Sequence, residues 1–572
     1  MSRDPLHAYP IRRRSERRPK GRKAAALTAA LALAAGALSA LGAAAPARAS
    51  ETCRAQVDYT VVNDWGSGFQ AQVDLRNTGT TAIGDWVVTL TYPEPVSAST
   101  PGQIGIDLYT LRFANDSWNG SIPPGGATSF SFSATGGGGL PRIAMSSGGE
   151  DCELDGGDAA AADNPFEGAD FYVDPEWSQR AHLGGTPAEV ANQGTAVWLD
   201  SIASITGSGA NNTMGLADHL DEALAQRHSV PSGEIVVQLV LYNAPGRDCA
   251  ALASDGELGP GEIDRYKYEY VDAIAEIVSR PEYAELRIAA VIEPFSLAYL
   301  PGHTDPWPGA TQGCNEVLAL GGYHQAIAYA VATLADAGVY NYLDTGSHTV
   351  IGWTDVNPSF SFMEIAVQLY AMIFDYGAEP GDVHGIATNV ADYSPLEEPF
   401  FDHGDVVSGV WVGQVPWIDF NDYVDEEPFA LDFRDLLVAA GFDADLGVIV
   451  DTSRNGWGGP NRPTETSSSP DPVTYVDESR IDRRDSRQHR CNQAGSGIGE
   501  RPQADPGKDA ALHAYAWIKP PGESDGPMEW DGKGFDRYCS AEYGALEDGP
   551  PRGEWFQLHF DQLLANAWPP LD

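Results

Sequence analysis

From about residue 164 onward the chain alternates between short apolar runs and longer amphipathic ones, and this alternation limits the fold more than any other feature of its 572 residues. The apolar runs are 196–202, 235–242, 286–293, 340–344, 384–390, 446–451 and 514–519. They are rich in aliphatic residues, too short for helices and bounded by turn residues, so they read as about seven buried strands. Between them, 215–227, 262–279, 316–337 and 429–440 carry apolar residues at helical spacing. Repeated strand–helix units imply a parallel sheet or barrel with helices outside it.

Polar residues gather where these strands end. Asp200, Asp248, Asp344, Asn389 and Asp451 stand at or just past the carboxyl ends of five runs, and Lys519, Glu523 and Asp525 cluster past the last. Barrel enzymes keep their reactive groups at that end of the sheet, and a polar-lined cleft there suits a hydroxyl-rich ligand. The sharpest instance is LVLYNAPGRDCAALASDGE, residues 239–257, where Pro245 and Gly246 break a strand and leave Arg247, Asp248 and Cys249 on the turn. Spacing alone fits an ion pair closing a surface loop equally well.

The chain is too long for one core, and its composition divides it. Residues 1–23 carry nine Lys and Arg, 24–45 are small and apolar, and Ala47-Arg48-Ala49 is a small-residue cleavage site. This reads as an export signal over 1–49 that is removed by the general secretory route, so a secreted, extracellular protein without a permanent membrane anchor is expected. The full chain has a formal charge of −46, and losing a leader with ten bases and two acids deepens it to −54. Such acidity excludes nucleic acid as a partner. It keeps a secreted protein soluble, and a monomer is expected. Neither a metal nor a cofactor is implied, since His348 and the other histidines form no ligand cluster. All six cysteines lie beyond the leader, spaced too widely for zinc, so export favours disulfides.

Residues 50–153 alternate in short strands such as 57–61, 69–75 and 87–92, separated by Gly, Asn, Thr and Pro turns, as a β-sandwich does. Residues 154–163 are small and polar and read as a short linker, leaving 164–572 as the second domain. YTVVNDWGSGF, NTGTTAIGDWVVTLTYP and NDSWNGSIPPGGATSFSF resemble a family 2 carbohydrate-binding module. That resemblance implies a flat row of aromatics stacking on glucose rings, with Trp65 and Trp118 at two platform positions. Trp86 lies within its strand's apolar alternation and reads as core. The third platform Trp is absent, and Tyr109 is the residue that could substitute for it.

The second domain resembles glycoside hydrolase family 6, the inverting cellulases, and its segments DTSRNGWGGPNRPT and YVDESRIDRRDSRQHRCNQAGSGIGERP resemble the bacterial cellobiohydrolase branch, whose long loops roof the cleft. The resemblance implies an α/β fold, a distorted, incomplete parallel β/α barrel of about seven strands, acting on cellulose or related β-1,4-glucans. Inverting hydrolysis needs an acid that protonates the leaving oxygen and a base that activates water from the opposite face. By resemblance Asp525, in WIKPPGESDG, takes the base position, acting directly or through a water, and Asp248 assists the acid and stabilises positive charge on the sugar. Trp198, Asp200, Tyr242, Arg247, Ser254, Asp344, Trp353, Asn389, Lys519 and Glu523 match sugar-contacting positions. The cysteines pair as Cys53 with Cys152, which bracket the sandwich, and, by the resemblance, Cys249 with Cys314 and Cys491 with Cys539.

One block departs from the family. IEPFSL, 292–297, has Phe295 where the family carries the Asp that is its general acid. YLDTGSHTVIGW, 342–353, has Ser347 in place of a His and Val350 in place of a stacking Trp, although Asp344 and Trp353 remain. Two readings follow: a secreted β-1,4-glucanase with weak or altered activity, or a glucan-binding protein that holds chains without cutting them. A general acid contributes about 100- to 10,000-fold, so its loss weakens catalysis without abolishing it. With Phe295 unable to transfer a proton, Asp248 is the nearest substitute by chain order.

Overall fold

The computed structural model describes residues 53–571 except 66–67, 92–95, 99–102, 107–109, 116–118, 137–141, 149, 155–163, 184–185, 208–213, 231, 252–255, 355–360 and 531–533. The expected leader, 1–49, and most of the expected linker lie outside these residues. The chain divides near residue 160 into two compact units.

The first unit has two five-stranded sheets. One runs Glu153–Leu154, Arg54–Asp64, Gly68–Asn77, Ala127–Gly136, Val96–Ala98, and the other Glu150–Asp151, Arg142–Ser147, Trp86–Thr91, Thr110–Ala114, Gln103–Ile106. Alternation along Gly68–Asn77 turns Phe69, Ala71, Val73 and Leu75 into the core between the sheets. Trp86 is core, with its indole N–H donating to the Asn119 carbonyl at 3.0 Å. Cys53 and Cys152 are bonded, tying the two ends of the unit together.

The second unit is built on a nine-stranded sheet. Its parallel members run in chain order: Asp170–Phe171 and Val197–Leu199 share one side of Ile235–Leu241, followed by Arg287–Ile292, Tyr340–Asp344, Gly385–Thr388, Gly447–Asp451 and Leu512–Ala516. Gln503–Ala504 closes the far edge antiparallel. Ile235–Leu241 is buried throughout because it has no solvent face. Ile235, Val237, Leu239 and Leu241 meet the helices, while Val236 and Val240 point inward with Tyr342, Ala387, Ile449 and Ala516. The sheet curls until its first and last strands nearly meet. Among the described residues no strand ladder closes this gap; it is bridged by the Ala196 N–H donating to the Trp517 carbonyl at 3.1 Å and by the Trp198 indole donating to the Ile518 carbonyl at 2.8 Å. The fold is thus the expected incomplete barrel.

Three elements differ from the sequence reading. The helix expected over 316–337 is two helices, Gln312–Leu320 and Gly322–Asp336, bent by 55°. Gly321 between them adopts φ 63, and a Cβ there would lie 2.5 Å from the Tyr376 hydroxyl, so only glycine fits. The helix expected over 262–279 contains a π-helical turn, Tyr266–Val271. Its register aims two phenols at the strand ends: Tyr266 donates to Glu293 at 2.8 Å and Tyr270 to the Leu199 carbonyl. The last strand ends at Ala516 rather than 519, which releases Lys519 towards the cleft. The other two disulfides, Cys249–Cys314 and Cys491–Cys539, are formed as expected. Among the described residues no single helix is long and apolar enough to cross a membrane.

Candidate active site

Asp525 is firmly held past the last strand of the barrel. Past the end of Gly447–Asp451, Arg454 turns back beneath the cleft, fully buried, and its Nη1 donates to both Asp525 oxygens at 2.7 and 2.8 Å. The Tyr393 hydroxyl and the Asn492 backbone N–H each add a hydrogen bond to Oδ2 at 2.7 Å. The Arg454 guanidinium also lies over the Tyr393 ring, 4.2 Å from its centroid. Burial pushes the Asp525 pKa up, but Arg454, Lys519 and the Asn492 N–H together outweigh it and hold the group below the ordinary Asp value. This environment favours the ionised, hydrogen-bond-accepting form of Asp525.

Asp248 occupies a different setting. It takes φ 58 on the turn after Leu241, following Gly246 at φ 71. The turn is pinned by the Cys249–Cys314 bond, by the Tyr323 hydroxyl donating to the Gly246 carbonyl at 2.8 Å, and by Thr311 donating to the Cys249 carbonyl at 2.8 Å. Tyr242 donates to Asp248 Oδ1 at 2.6 Å, and Arg552 Nη1 donates to both the Tyr242 hydroxyl at 2.6 Å and Asp248 Oδ2 at 3.3 Å. Arg247 spans the neighbouring turn, donating to the carbonyls of Asp200 and Tyr242 with its guanidinium 4.3 Å from the Tyr242 ring centroid.

Phe295, at the position where the resemblance puts an acid, has its ring in close company. Its ring stands edge-on to Tyr242 at 6.0 Å and to Tyr299 at 5.9 Å, and Trp198 meets the far side of Tyr242 at 5.4 Å. The backbone keeps a strained conformation, φ 61 at Phe295 and φ 49 at Glu293, which non-glycine residues rarely adopt. Behind it, Asp344 Oδ2 accepts the Phe295 N–H at 3.0 Å, while the buried Asp344 Oδ1 has no hydrogen-bond partner. Burial dominates Asp344 and pushes its pKa up to about 7 despite the N–H groups of Phe295 and Gly346. Glu293, also fully buried, is likewise pushed up to about 7 by burial, although Tyr266 and the N–H groups of Asn243 and Ala244 hydrogen-bond to it.

The two other departures are accommodated by local contacts. Ser347 donates to Asp392 Oδ2 at 2.8 Å, and Val350 packs against the main core. Asp392 receives Arg484 at 2.7 Å and Arg490 at 2.8 Å. Burial alone would raise its pKa, but the two guanidiniums hold it well below the ordinary carboxylate range.

The remaining expected contacts are scattered around this rim. Lys519 lies 5.2 Å from the Trp198 ring centroid and 3.4 Å from Glu523, which is also 3.7 Å from Arg180. Trp353 is half-buried, its indole donating to the Asp419 carbonyl at 2.9 Å, and Asp200 is exposed. Asp451 is spent on the backbone N–H groups of Ala391, Ser453 and Lys519. Asn389, expected to bind hydroxyls, is held within its own loop. It is fully buried at φ 61, donates to the carbonyls of Ser394 and Asp451 at 3.1 and 2.8 Å, and accepts from the Ser394 N–H. It shapes the loop instead. Ser254, Trp118 and Tyr109 lie outside the described residues; Trp65 is 49% exposed on the sandwich.

Sequence reasoning missed Arg454, Tyr393, Asn492 and Arg552. Arg454 and Tyr393 stand just past strand ends in segments already singled out, so their positions were a usable signal. Arg552 reaches Asp248 from 304 residues away, and no local pattern marks it.

Comparisons with known proteins identify the families of both units. The family model described as glycosyl hydrolases family 6 matches residues 170–567, and one described as a cellulose binding domain matches residues 55–152. Exoglucanase A of Cellulomonas fimi is 41% identical over 71% of this chain, a match spanning 48% of the relative's own length. The 1,4-beta-D-glucan cellobiohydrolase C of Emericella nidulans is 32% identical over 72% of this chain and 80% of its own. Among solved structures, the catalytic domain of Cellulomonas fimi Cel6B superposes with a TM-score of 0.66 at 39% identity, covering 72% of this chain and 96% of that one. The cellobiohydrolase Cel6A from Humicola insolens, in complex with glucose and cellotetraose, gives 0.55 at 29% identity, covering 71% and 100%.

Proposed function

The chain belongs to glycosyl hydrolase family 6 and carries an N-terminal cellulose-binding domain; on that premise we propose that it is a secreted β-1,4-glucanase, an inverting cellobiohydrolase slowed by the loss of its general acid. The observation that carries this reading is the Asp525 cage. A buried arginine, a phenol and a backbone N–H all converge on one carboxylate, which is the arrangement needed to keep a base ionised and oriented. A protein that merely held glucan would gain nothing from it. Asp525 orients and deprotonates the attacking water, and with its low basicity the proton leaves late, as C–O cleavage advances. Asp248, oriented by hydrogen bonds from Tyr242 and Arg552, offers carboxylate charge to the developing positive charge. No carboxyl at position 295 protonates the leaving oxygen, so departure is the slow step.

This reading predicts a dependence on the leaving group. β-Cellobiosyl fluoride, whose fluoride leaves without a proton, is expected to turn over at a rate near that of an intact relative, while cellotetraose lags by about 100-fold or more. Proton NMR of the fluoride reaction should give the α-anomer first. If both substrates stay at background, the hydrolase reading fails.

Phe295 favours a second reading, glucan binding without cleavage. Its ring fills the acid position between Tyr242 and Tyr299, leaving an apolar wall where a proton would have to pass. Retention on cellulose with no release from the fluoride would support it.

A further inference from the structure

We propose that Trp411 and Phe420 form an outlying stacking platform that takes a β-1,4-glucan chain where it runs beyond Trp353. The inference rests on the glucan-binding reading above and adds a site to it. Both rings are exposed, 38% for Trp411 and 54% for Phe420, in a unit whose other large aromatics are mostly buried. They meet at 5.8 Å with planes 61° apart.

The pair is held in place from below. Trp411 ends the small antiparallel hairpin Val406–Val407 with Val410–Trp411 and lies against the backbone of Gly413. A Cβ on Gly413 would come within 2.2 Å of the indole Cζ2 and 2.4 Å of Cε2, so glycine is what allows the ring to lie down with its outer side in water. Phe420 follows Asp419, and both adopt left-handed φ values, 62 and 53. Two consecutive non-glycine residues in that conformation are strained, and the strain turns a phenyl ring outward to solvent. The turn is locked by the Phe420 N–H donating to the Gly413 carbonyl at 2.7 Å. Beneath it, buried Arg487 donates to the carbonyls of Trp417, Ile418 and Tyr423.

Continuity with the cleft identifies the occupant. The Trp353 indole N–H donates to the carbonyl of Asp419, the residue before Phe420, and Asp422 accepts from the Thr354 N–H at 2.7 Å. Asn421 donates to the His348 carbonyl at 2.8 Å. The platform and the cleft rim are therefore one hydrogen-bonded body. Glucose rings offer apolar faces to aromatics and equatorial hydroxyls to neighbours such as Asp419 and Gln414, both exposed. A chain of net charge −46 repels acidic partners, whereas an uncharged polysaccharide meets no such barrier.

The test compares the affinities of the full mature chain for cellotriose and cello-octaose, read by calorimetry. The wild type should bind the octaose at least tenfold tighter. In Trp411→Ala/Phe420→Gln most of that factor should vanish while cellotriose affinity stays unchanged, and Trp411→Tyr should keep it. The sandwich is present in every variant, so its contribution cancels. An unchanged octaose affinity in the double variant, or a wild type that gains nothing from length, overturns the platform alone. Binding of neither sugar overturns the glucan reading and the platform with it. Should the double variant melt early, Phe420→Gln alone, altering only an exposed ring, carries the comparison with a threefold loss expected. Concentration-dependent dimers in sedimentation that dissolve in Phe420→Gln would assign the rings to a second copy instead and also overturn the proposal.

Discussion

The two sides of the reaction centre are built in opposite ways. On the base side, Asp525 is enclosed by a buried cation, a phenol and a backbone N–H. On the side of Phe295, Asp344 and Glu293 are buried and hydrogen-bonded by N–H groups and a phenol, with Arg247 a lesser attraction on Glu293, and aromatic rings surround position 295. The same burial thus has two results. Where guanidiniums lie against a buried carboxylate, its pKa falls below the ordinary value; where hydrogen bonds from N–H groups and phenols are the main support, burial wins and the pKa rises. On the proposed reading, the base side keeps the charges its chemistry needs, and the acid side keeps a left-handed backbone around a phenyl ring.

The largest expected effect tests the base side. Asp525→Asn keeps the volume and removes the charge, and turnover of β-cellobiosyl fluoride should fall about 1,000-fold or more. Arg454→Met asks whether the cage is what holds the carboxylate. Leaving a buried anion without its cation should cost about 3–5 kcal/mol in urea unfolding as well as activity. If Asp525→Asn turns the fluoride over as fast as the wild type, the asymmetry carries no chemistry.

Phe295→Asp reverses the acid side and comes next in size. The strained φ of 61 at this position is retained by a residue that gains nothing from it, so the backbone is already shaped to present a side chain into the cleft. Cellotetraose hydrolysis should rise about 100-fold, measured by release of cellobiose, while the fluoride rate changes little. A wild type already as fast on cellotetraose would show that no acid is missing.

How far this contrast was legible in the sequence depends on the range of the interaction. About seven parallel strands and the disulfide partners follow from local pattern and family resemblance, and the fold agrees, adding the short strands Asp170–Phe171 and Gln503–Ala504 that local pattern did not mark. The Phe295 replacement is visible in a single letter. The charge balance around each carboxylate was not legible, because it depends on partners such as Arg454 with Asp525 and Arg552 with Asp248, which are 71 and 304 residues apart. Asn389 shows a further long-range dependence. Its motif matched a sugar contact, yet the φ of 61 that directs its amide to backbone carbonyls leaves no trace in composition or periodicity. The π-helical turn at Tyr266 was hidden for the same reason, since one inserted residue leaves the apolar spacing nearly helical.

The contrast also has a pH signature, smaller than the rate effects. Asp344 has a native pKa of about 7, above its unfolded value near 3.8, so the native state binds the extra proton between these limits. Its contribution to stability is fully present below about pH 4 and is lost as pH rises towards 7. Asp525 and Asp392, depressed in the native state, act with the opposite sign: their contribution is present above the ordinary carboxylate range and is lost as pH falls. Asp344→Asn should therefore flatten the fall in stability between pH 4 and 7, as seen in urea midpoints at successive pH values, and leave the acid limb untouched. A variant with the wild-type slope would mean that Asp344 is ionised in the native protein.

The smallest effect is expected from Asp248→Asn, and it decides whether the acid side is truly vacant. Chain order makes Asp248 the natural substitute acid, but its two oxygens already accept from Tyr242 and Arg552, an arrangement suited to a carboxylate and not to a proton donor. Asparagine keeps the oxygen that faces Tyr242. It gives up a charge opposite Arg552, whose side chain is 32% exposed and therefore partly screened. The rate on cellotetraose should fall less than tenfold, and the ratio of fluoride to cellotetraose rates should stay where the wild type has it. Were Asp248 the proton donor, its loss would spare the fluoride and abolish cellotetraose cleavage, widening that ratio sharply. The ratio separates the two cases even where both rates drop, because a general loss of charge stabilisation slows both substrates together and a lost proton slows only the one that needs it.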